Sequence, residues 1–201
     1  MILELEQKEQ LVAAKLINDG LSCASGTLTS LLKTPISINK VDFGADSIQK
    51  SPRLNSSDKN AQLHVLRTAL IGELQGVCHL IFTEDEIEKI NQVCLPPGLQ
   101  NGSEEQKKIL RDGFLTELDN IVSAAVVTQF SNYLDVDLFG HVPSVDVMPQ
   151  NEMKSYLEKE AAEFGNVVYF KANFEGKELD IAPDFTWMFQ DQFLDKIKST
   201  L

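Results

Sequence analysis

Positive charge is scarce in this chain. Its 201 residues include 18 Lys and Arg against 30 Asp and Glu, so the formal net charge is -12 and the pI is near 4.6. Nucleic acids and anionic membranes are bound by clustered Lys and Arg, and we therefore exclude both as partners. An acidic surface fits a soluble protein with protein or cationic partners, without selecting among them.

Export signals and long apolar segments are also lacking. Residues 1–6 have neither the positive start nor the apolar run of a signal peptide. No segment is long and apolar enough to span a membrane. The three cysteines, Cys23, Cys78 and Cys94, form no CxxC pair, and no base lies near them in sequence. We therefore expect buried, reduced thiols in a cytoplasmic protein, rather than a catalytic cysteine.

Motifs for cofactors and covalent catalysis are missing as well. The sequence has no phosphate-binding loop, no dinucleotide fingerprint and no nucleophile elbow. His64, His79 and His141 lack the spacing of zinc ligands, so we predict no metal site in this chain. The aromatic residues have no basic residues interleaved, which predicts core packing rather than a platform for stacking bases.

Apolar periodicity, proline positions and capping patterns predict the order of the elements. Thr83 with Glu86, and Ser103 with Gln106, match the capping box that opens a helix. Pro143 interrupts a strand region, because proline cannot donate to a ladder. The predicted helices are 5–33, 84–94, 104–133, 151–163 (capped by Asn151) and 190–199. The predicted strands are 36–43, 64–72, 76–82, 136–147, 167–174 and 178–188, with a hairpin turn at 175–177 and polar loops at 44–62 and 95–102.

The second half of the chain repeats much of the element order of the first. A shift of 102 residues places Leu16 on Leu118, Asn18 on Asn120 and Leu32 on Leu134. The repeated order indicates an internal duplication. We predict an α+β fold in which two long helices, related by a pseudo-twofold, pack on an antiparallel sheet. This single domain would consist of two related halves, about 1–97 and 103–201.

Two polar side chains lie three residues apart in the second long helix. Glu117 and Asn120 therefore project from one side of the helix. They lie away from an apolar stripe, whose predicted members are Phe114, Leu118, Ile121, Val122 and Ala125. Gly113, Ala124 and Val127 are predicted beside the pair. A solvated helix face usually carries Lys, Glu and Arg, so these small and apolar neighbours indicate a face that a partner approaches closely.

The spacing of Glu117, Asn120 and Pro143, with 2 and then 22 residues between them, resembles the motif of the CheC/CheX-type chemotaxis phosphatase family. The matching stretch is 117–125, and Pro143 closes it. A looser resemblance extends over the whole chain through the repeated helix-plus-hairpin order. The resemblance implies that the protein dephosphorylates the phospho-aspartate of a CheY-like response regulator in chemotaxis or two-component signalling.

The resemblance also implies the role of each residue. Asn120 would orient the attacking water and Glu117 would pair with the regulator's lysine, while Gly113, Ala124 and Pro143 would contact the partner. Phosphoryl transfer depends on in-line positioning more than on a strong base, and a carboxamide can both donate to and accept from a water. The regulator would bring its own Mg²⁺, so this chain would need no cofactor. The sequence leaves homodimerisation open.

The sequence departs from the family pattern at two positions. The family has Asp or Ser where this chain has Gly113, and the adjacent Asp112 is expected to point elsewhere. In the first half, Lys15 stands at the position of Glu117, which predicts one site per chain, as in CheX, and an inactive face around Asn18.

Two alternatives stay open. One is a non-catalytic CheC-like binding or scaffold domain in the same signalling system. The other is an acidic adaptor, outside the family, whose polar pair is ordinary surface.

Overall fold

The computed structural model describes residues 1–38, 41–44, 61–94 and 102–201. Helices pack on a mixed β-sheet, which is an α+β arrangement. In chain order, the elements are β1 (Ile2–Leu3), α1 (Gln7–Leu32), β2 (Ser37–Ile38), β3 (Asp42–Phe43), β4 (Gln62–Gly72), β5 (Gly76–Thr83), α2 (Glu84–Cys94), α3 (Glu104–Leu134), β6 (Leu138–Gly140), β7 (Ser144–Pro149), α4 (Gln150–Glu163), β8 (Val167–Glu175), β9 (Asp184–Gln190) and α5 (Gln192–Ser199).

Both predicted capping boxes are formed. The Thr83 N–H donates to Glu86 Oε2 at 2.8 Å, and the Glu86 N–H donates to Thr83 Oγ1 at 3.3 Å. At the start of α3, the Ser103 N–H donates to Gln106 Oε1 at 3.1 Å, and the Gln106 N–H donates to Ser103 Oγ at 3.3 Å. These reciprocal bonds satisfy donors that the first helical turn leaves free. The capping pattern in the sequence therefore predicted both helix starts.

The other helix ends show one agreement and one error. α1 ends at Lys33, which has a left-handed φ of 53°, two residues before Pro35. This agrees with the stop predicted from the proline. The N-cap of α4 is Pro149 rather than Asn151, which lies inside the helix. Proline fixes φ near the required extended value at this position, so the helix begins earlier than the Asn151 side chain indicated.

The predicted strand 36–43 is present as two short strands, β2 and β3, and both pair with β8. Residues 39 and 40 between them lie outside the described residues. Most of the predicted polar loops, 44–62 and 95–102, also lies outside the described residues.

The predicted tight turn at 175–177 is wrong. Residues 176–183 join β8 to β9, and β9 begins at Asp184 instead of residue 178. Asp180 has a φ of 53°, which turns the chain away from an extended path. Pro183 follows and has no N–H for a ladder. The second strand of this hairpin therefore starts only after the proline.

The strand pairing exchanges segments between the two halves of the chain. The hairpins β4–β5 and β8–β9 meet at the centre through an antiparallel β5–β9 pair. The strands that follow α1, β2 and β3, pair with β8, whereas the strands that follow α3, β6 and β7, pair with β4. This is the exchange that a twofold-related duplication would produce, and the duplication itself stays a prediction. The predicted antiparallel sheet is mixed, because β1 runs parallel to β8.

The two long helices pack against each other on one face of the sheet, and α4 covers the other face. The helices approach closely at Gly20, where an added Cβ would lie 2.7 Å from the Cα of Val126. A side chain at this crossing would force the helices apart, so Gly20 sets their separation.

An aromatic cluster holds α3 on the sheet. The ring centroid of Phe130 lies 5.3 to 6.4 Å from four other ring centroids, those of Phe170, Trp187, Phe189 and Phe193. All five side chains are fully buried. Such rings bury large apolar areas and contribute further through edge-to-face contacts. Phe130 thereby helps to fix which face of α3 points outwards.

The cysteines differ from the expectation of three buried thiols. Cys78 is buried, Cys94 is half-buried and Cys23 is exposed. Cys23 lies on the outer side of α1, because the buried stripe of that helix passes through Gly20, Leu21 and Ala24 instead. Among the helices described, none has a stretch long and apolar enough to cross a bilayer.

Candidate functional site

One line of exposed residues runs along the outer side of α3. It comprises Gly113, Glu117, Asn120, Ala124 and Thr128, which recur at three- and four-residue steps. Within the described part of the chain, the carboxylate of Glu117 and the carboxamide of Asn120 have no hydrogen-bond or ion-pair partner. Both groups are therefore available to a molecule that approaches this face.

The buried stripe of α3 lies about one residue away from its predicted position. Phe114, Ile121 and Ala125 are only half-buried, whereas Leu115 and Val126 are fully buried. The helix packs on the sheet and on α1 together, so its buried face is broad and its centre is displaced. Val127, predicted beside the polar pair, is buried, and it lines the same groove as Asn120 and Ala124.

A third polar residue of this turn was missed. Asp119 lies between Glu117 and Asn120 in sequence but is fully buried against the sheet. Its Oδ2 accepts a hydrogen bond from Thr68 Oγ1 at 2.6 Å. Its Oδ1 is buried and has no partner among the described residues. Burial raises the pKa of Asp119 to about 7, although the bond from Thr68 lowers it.

The sequence did contain a signal for Asp119. Position 119 lies four residues after Leu115 and three before Val122, so it falls on the buried stripe that the structure shows. The predicted stripe was centred one residue away and did not reveal a carboxyl group in the core.

Pro143 lies in a β-bulge opposite Thr68, the strand residue that donates a hydrogen bond to Asp119. β6 pairs up to Gly140 opposite Leu70, and β7 begins with Ser144 opposite Arg67. Residues 141–143 therefore stand opposite only Thr68 and Ala69 of β4, which is the count of a bulge. A bulge tolerates Pro143, because no ladder donor is needed there. Through Thr68, the bulge and the Asn120 turn of α3 are neighbours.

A shallow groove of about 350 Å³ begins at Asn120 and lies between α3 and β6. Ala124 and Thr128 line the helix side, and Phe139 and Gly140 line the strand side. No charged residue contributes to its lining, and the Phe139 side chain is largely exposed. An open groove beside an exposed helix face suits a macromolecular partner better than a small ligand, which binds in concave pockets.

The segment of sequence that carries this face has no positive residue between Arg111 and Lys154. From Asp112 to Met153 the sequence has seven Asp and Glu and no Lys or Arg. Glu117, Asp135 and Asp137 of this segment are exposed. The surface is therefore complementary to a partner that presents a cation.

The position that departs from the family motif is open. A Cβ added at Gly113 would have no neighbour within 4 Å. The adjacent Asp112 does not replace a side chain there, because its carboxylate pairs with Lys108 at 3.2 Å and with Arg111 at 3.3 Å. Asp112 thus points away from the exposed line, as predicted.

The corresponding face of α1 carries a different set of charges. Lys15 Nζ pairs with Asp19 Oδ2 at 2.8 Å and lies 6.0 Å from the ring centroid of Tyr133 on α3. Asn18 is exposed beside it. On α1, a lysine therefore stands at the position equivalent to that of Glu117 on α3.

The remaining polar clusters support the fold. Arg67 Nε donates to Glu160 Oε2 at 2.8 Å, which ties β4 to α4 on the far side of the sheet. His79 is buried beside this pair, and burial lowers its pKa. Within residues 1–38, 41–44, 61–94 and 102–201, no group of three or more His, Cys, Asp or Glu side chains could hold a metal ion.

No family model matches the sequence, and no curated protein matches it. Solved structures do. FliY of Thermotoga maritima superimposes with a TM-score of 0.68 at 16% identity, over 98% of this chain and 97% of FliY. The CheX–CheY–BeF₃–Mg²⁺ complex of Borrelia burgdorferi matches with a TM-score of 0.57 at 14% identity, over 88% of this chain and 99% of the matched chain. This chain has the CheC/CheX-like fold.

A CheC-like superfamily protein of a Shewanella species shares the CheC/CheX-like fold, with a TM-score of 0.55 at 13% identity over 92% of this chain and 99% of its own. The α+β prediction and the structural likeness to CheC and CheX are thereby confirmed. At these identities the likeness concerns the fold alone, so the roles of Glu117, Asn120, Gly113, Ala124 and Pro143 stay predictions.

Proposed function

We propose that this protein is a phosphatase that hydrolyses the phospho-aspartate of a CheY-like response regulator in chemotaxis or two-component signalling. The observation that carries the proposal is the pair Glu117 and Asn120, exposed on α3 and unpartnered within the described residues. The fold supports it, because one structure with this fold is a CheX–CheY complex. The proposal includes a cytoplasmic location for both proteins.

In the proposed reaction, α3 docks over the phosphorylated pocket of the regulator. The Asn120 carboxamide accepts a hydrogen bond from one water and aligns it with the phosphorus, opposite the aspartyl oxygen. Water attack forms one P–O bond and breaks the bond to the aspartyl oxygen, which yields phosphate and a free carboxylate. Both protons of the water end on the phosphate, which leaves as H₂PO₄⁻ and then equilibrates with HPO₄²⁻ and a proton in solvent. The acceleration comes from positioning the water, which an amide can do although it is a poor base.

Glu117 and the acidic surroundings would recognise the regulator. Its carboxylate would pair with a lysine beside the phosphoryl group, and the absence of Lys and Arg from residues 112–153 favours that approach. Gly113, Ala124 and the bulge at Pro143 would then face the partner, and the small side chains of the first two permit a close contact. Mg²⁺ belongs to the regulator and neutralises charge on the phosphoryl oxygens.

The direct test measures the lifetime of a phosphorylated CheY-like regulator with and without this protein, in the presence of Mg²⁺. We expect phosphate release to accelerate in proportion to the concentration of added protein. An unchanged lifetime with several regulators of the same source would contradict the phosphatase proposal.

Asn18→Ala should leave the rate of phosphate release nearly unchanged, because Lys15 beside it would repel the regulator's lysine instead of pairing with it. The measurement is the catalysed decay rate of the phosphorylated regulator at subsaturating and saturating concentrations. A large loss of rate would show that the face of α1 is a second active site.

Glu117→Gln should weaken binding of the phosphorylated regulator roughly three- to tenfold, with a smaller effect on the rate at saturation, because a charged pair mainly supports docking. The dependence of binding on salt concentration should also become shallower. Glu105→Gln is the matched control, since Glu105 is an exposed acid near the start of the same helix. Equal losses in the two variants would indicate a general charge effect without a specific ion pair.

The second candidate is a non-catalytic binding domain of the same signalling system. Two observations favour it: Gly113 stands where the family has Asp or Ser, and the middle domain of FliM from Vibrio alginolyticus also has this fold, with a TM-score of 0.52 at 14% identity. Such a domain would bind the regulator without shortening the lifetime of its phosphoryl group. Binding and hydrolysis measured on the same sample separate the two candidates.

A further inference from the structure

A buried hydrogen bond ties the turn of α3 that carries Glu117 and Asn120 to the sheet. Asp119 lies within that turn, and its Oδ2 accepts the hydrogen bond from Thr68 Oγ1. Both residues are buried. The methyl group of Thr68 packs over Gly140 of the neighbouring strand, where an added Cβ would lie 3.2 Å from Thr68 Cγ2. The bond therefore joins a fixed strand position to the helix.

We propose that Asp119 is a positioning residue, which acts through Thr68 to hold the Glu117 and Asn120 side chains in their working orientation when its carboxyl group is neutral. The proposal rests on the proposed function, which it deepens. An apolar residue at 119 would fill the same space without fixing the rotation of the helix. The hydrogen bond adds to the packing of Phe130 and fixes the rotation at this turn, and an error of about 1 Å in positioning can cost roughly 100-fold in rate.

The surroundings of Asp119 offer little to balance a charge. Thr68 faces it from β4, and Cys78, which pairs with Thr68, faces it from β5. Cys78 stays protonated, because burial raises its pKa well above the usual value. Arg67 projects to the opposite face of the sheet, where it pairs with Glu160.

The exposed groups near this turn lie on its other side. From α3 itself the neighbouring acid is Glu117, and from the bulge beside β4 the nearest titratable group is His141; both are exposed. On α1, the exposed Lys15 is already paired with Asp19. No cation is therefore directed at the buried carboxyl group among the described residues. Once the group ionises, the negative charge on Oδ1 would have no hydrogen bond from the described residues to stabilise it.

The consequence is a pH-dependent site. Burial places the pKa of Asp119 at about 7, so the carboxyl group ionises within the physiological range. The charge then favours movement of this turn towards water, which displaces Glu117 and Asn120. If the neutral form alone is active, the rate falls by roughly tenfold for each pH unit above the pKa.

The test follows the side-chain NH₂ signals of Asn120 in ¹⁵N NMR spectra from pH 5.5 to 8.5, after assignment with Asn120→Ala. In the wild type we expect the signals to move with a midpoint near pH 7. In Asp119→Asn, which keeps an acceptor for Thr68 but cannot ionise, the movement should disappear. The proposal would be overturned if the wild-type signals do not shift with pH, or if they shift equally in Asp119→Asn.

A pair of Thr68 variants supplies a directional control that damage to the fold would not reproduce. The hydrogen bond from Thr68 lowers the pKa of Asp119, so Thr68→Val should move the midpoint to higher pH. Thr68→Ser keeps the hydroxyl group and should restore the wild-type midpoint. Equal midpoints in the wild type, Thr68→Val and Thr68→Ser would contradict the link through Thr68. This comparison can be made even if Asp119→Asn fails to fold.

The activity measurement distinguishes this proposal from the proposed function. The ratio of the Asp119→Asn rate to the wild-type rate should rise roughly tenfold between pH 6 and pH 8, and the regulator's own pH dependence cancels in that ratio. A constant ratio in active proteins would reject the positioning role alone. A wild type that hydrolyses nothing would reject the phosphatase, while the NMR midpoint would still decide the coupling.

Discussion

Asn120→Ala should lower the rate of phospho-aspartate hydrolysis at saturating regulator by about 100-fold, by analogy with removing one oriented donor from an active site. The carboxamide would contact the attacking water, so its contribution arises mainly in the transition state. Binding of the regulator should change little, since the residue carries no charge. Because Asn120 is exposed, we also expect the stability to stay within about 0.5 kcal/mol of the wild type.

Single-turnover decay of the phosphorylated regulator measures this effect separately from binding. Asn18→Ala is the matched control, because it removes the same side chain from the exposed face of α1. Equal rates for Asn120→Ala and the wild type would mean that this face of α3 performs no catalysis. The non-catalytic binding domain would then be the better account of the molecule.

The buried Asp119 should make the folding stability of the wild type fall by about 4 kcal/mol as the pH rises to about 7. Asp119→Asn should remove this fall. The pKa of Asp119 rises from 3.8 to about 7 on folding, and each unit corresponds to about 1.36 kcal/mol. Between these values the folded state binds the proton and the unfolded state does not. Raising the pH through this range therefore favours unfolding, and the wild type loses this contribution progressively up to about pH 7.

Urea unfolding at pH 4.5, 6 and 8 measures the effect as the difference in unfolding free energy between variant and wild type. We expect the difference to shift in favour of Asp119→Asn as the pH rises, whatever its value at the lowest pH. Asp146→Asn is a control at an exposed aspartate and should follow the wild-type profile. A difference that stays constant with pH would mean that Asp119 is ionised in the folded protein at every pH tested.

The sequence predicted those features that are local or periodic. The capping boxes at Thr83 and Ser103, the proline after α1 and the β4–β5 hairpin each depend on neighbouring residues, and all are present. The exposed position of Glu117 and Asn120 followed from helical periodicity, which tolerates an error of one residue. Sequence reasoning was therefore sufficient for the α+β class and for the outer face of α3.

The features that sequence reasoning missed depend on contacts between distant segments. The apolar stripe could have indicated that Asp119 is buried, but its partner Thr68, 51 residues away in sequence, became visible only once α3 was placed on β4. The bulge at Pro143 depends on the register of two strands against one neighbour. In the same way, Val126 packs on Gly20 because α3 has a second neighbour in α1, which a single apolar stripe cannot indicate.

The exchange of strands between the halves has a consequence for synthesis on the ribosome. When the β4–β5 hairpin emerges, the strands that pair with its outer edges among the described residues are still missing, because β6, β7 and β9 lie later in the chain. These unpaired backbone groups can recruit strands from other molecules until residue 149 has been made for β4 and residue 190 for β5. The first half is thus an aggregation-prone nascent chain that only its own second half protects. Two separately expressed halves should accordingly be poorly soluble alone and recover a folded complex when they are co-expressed.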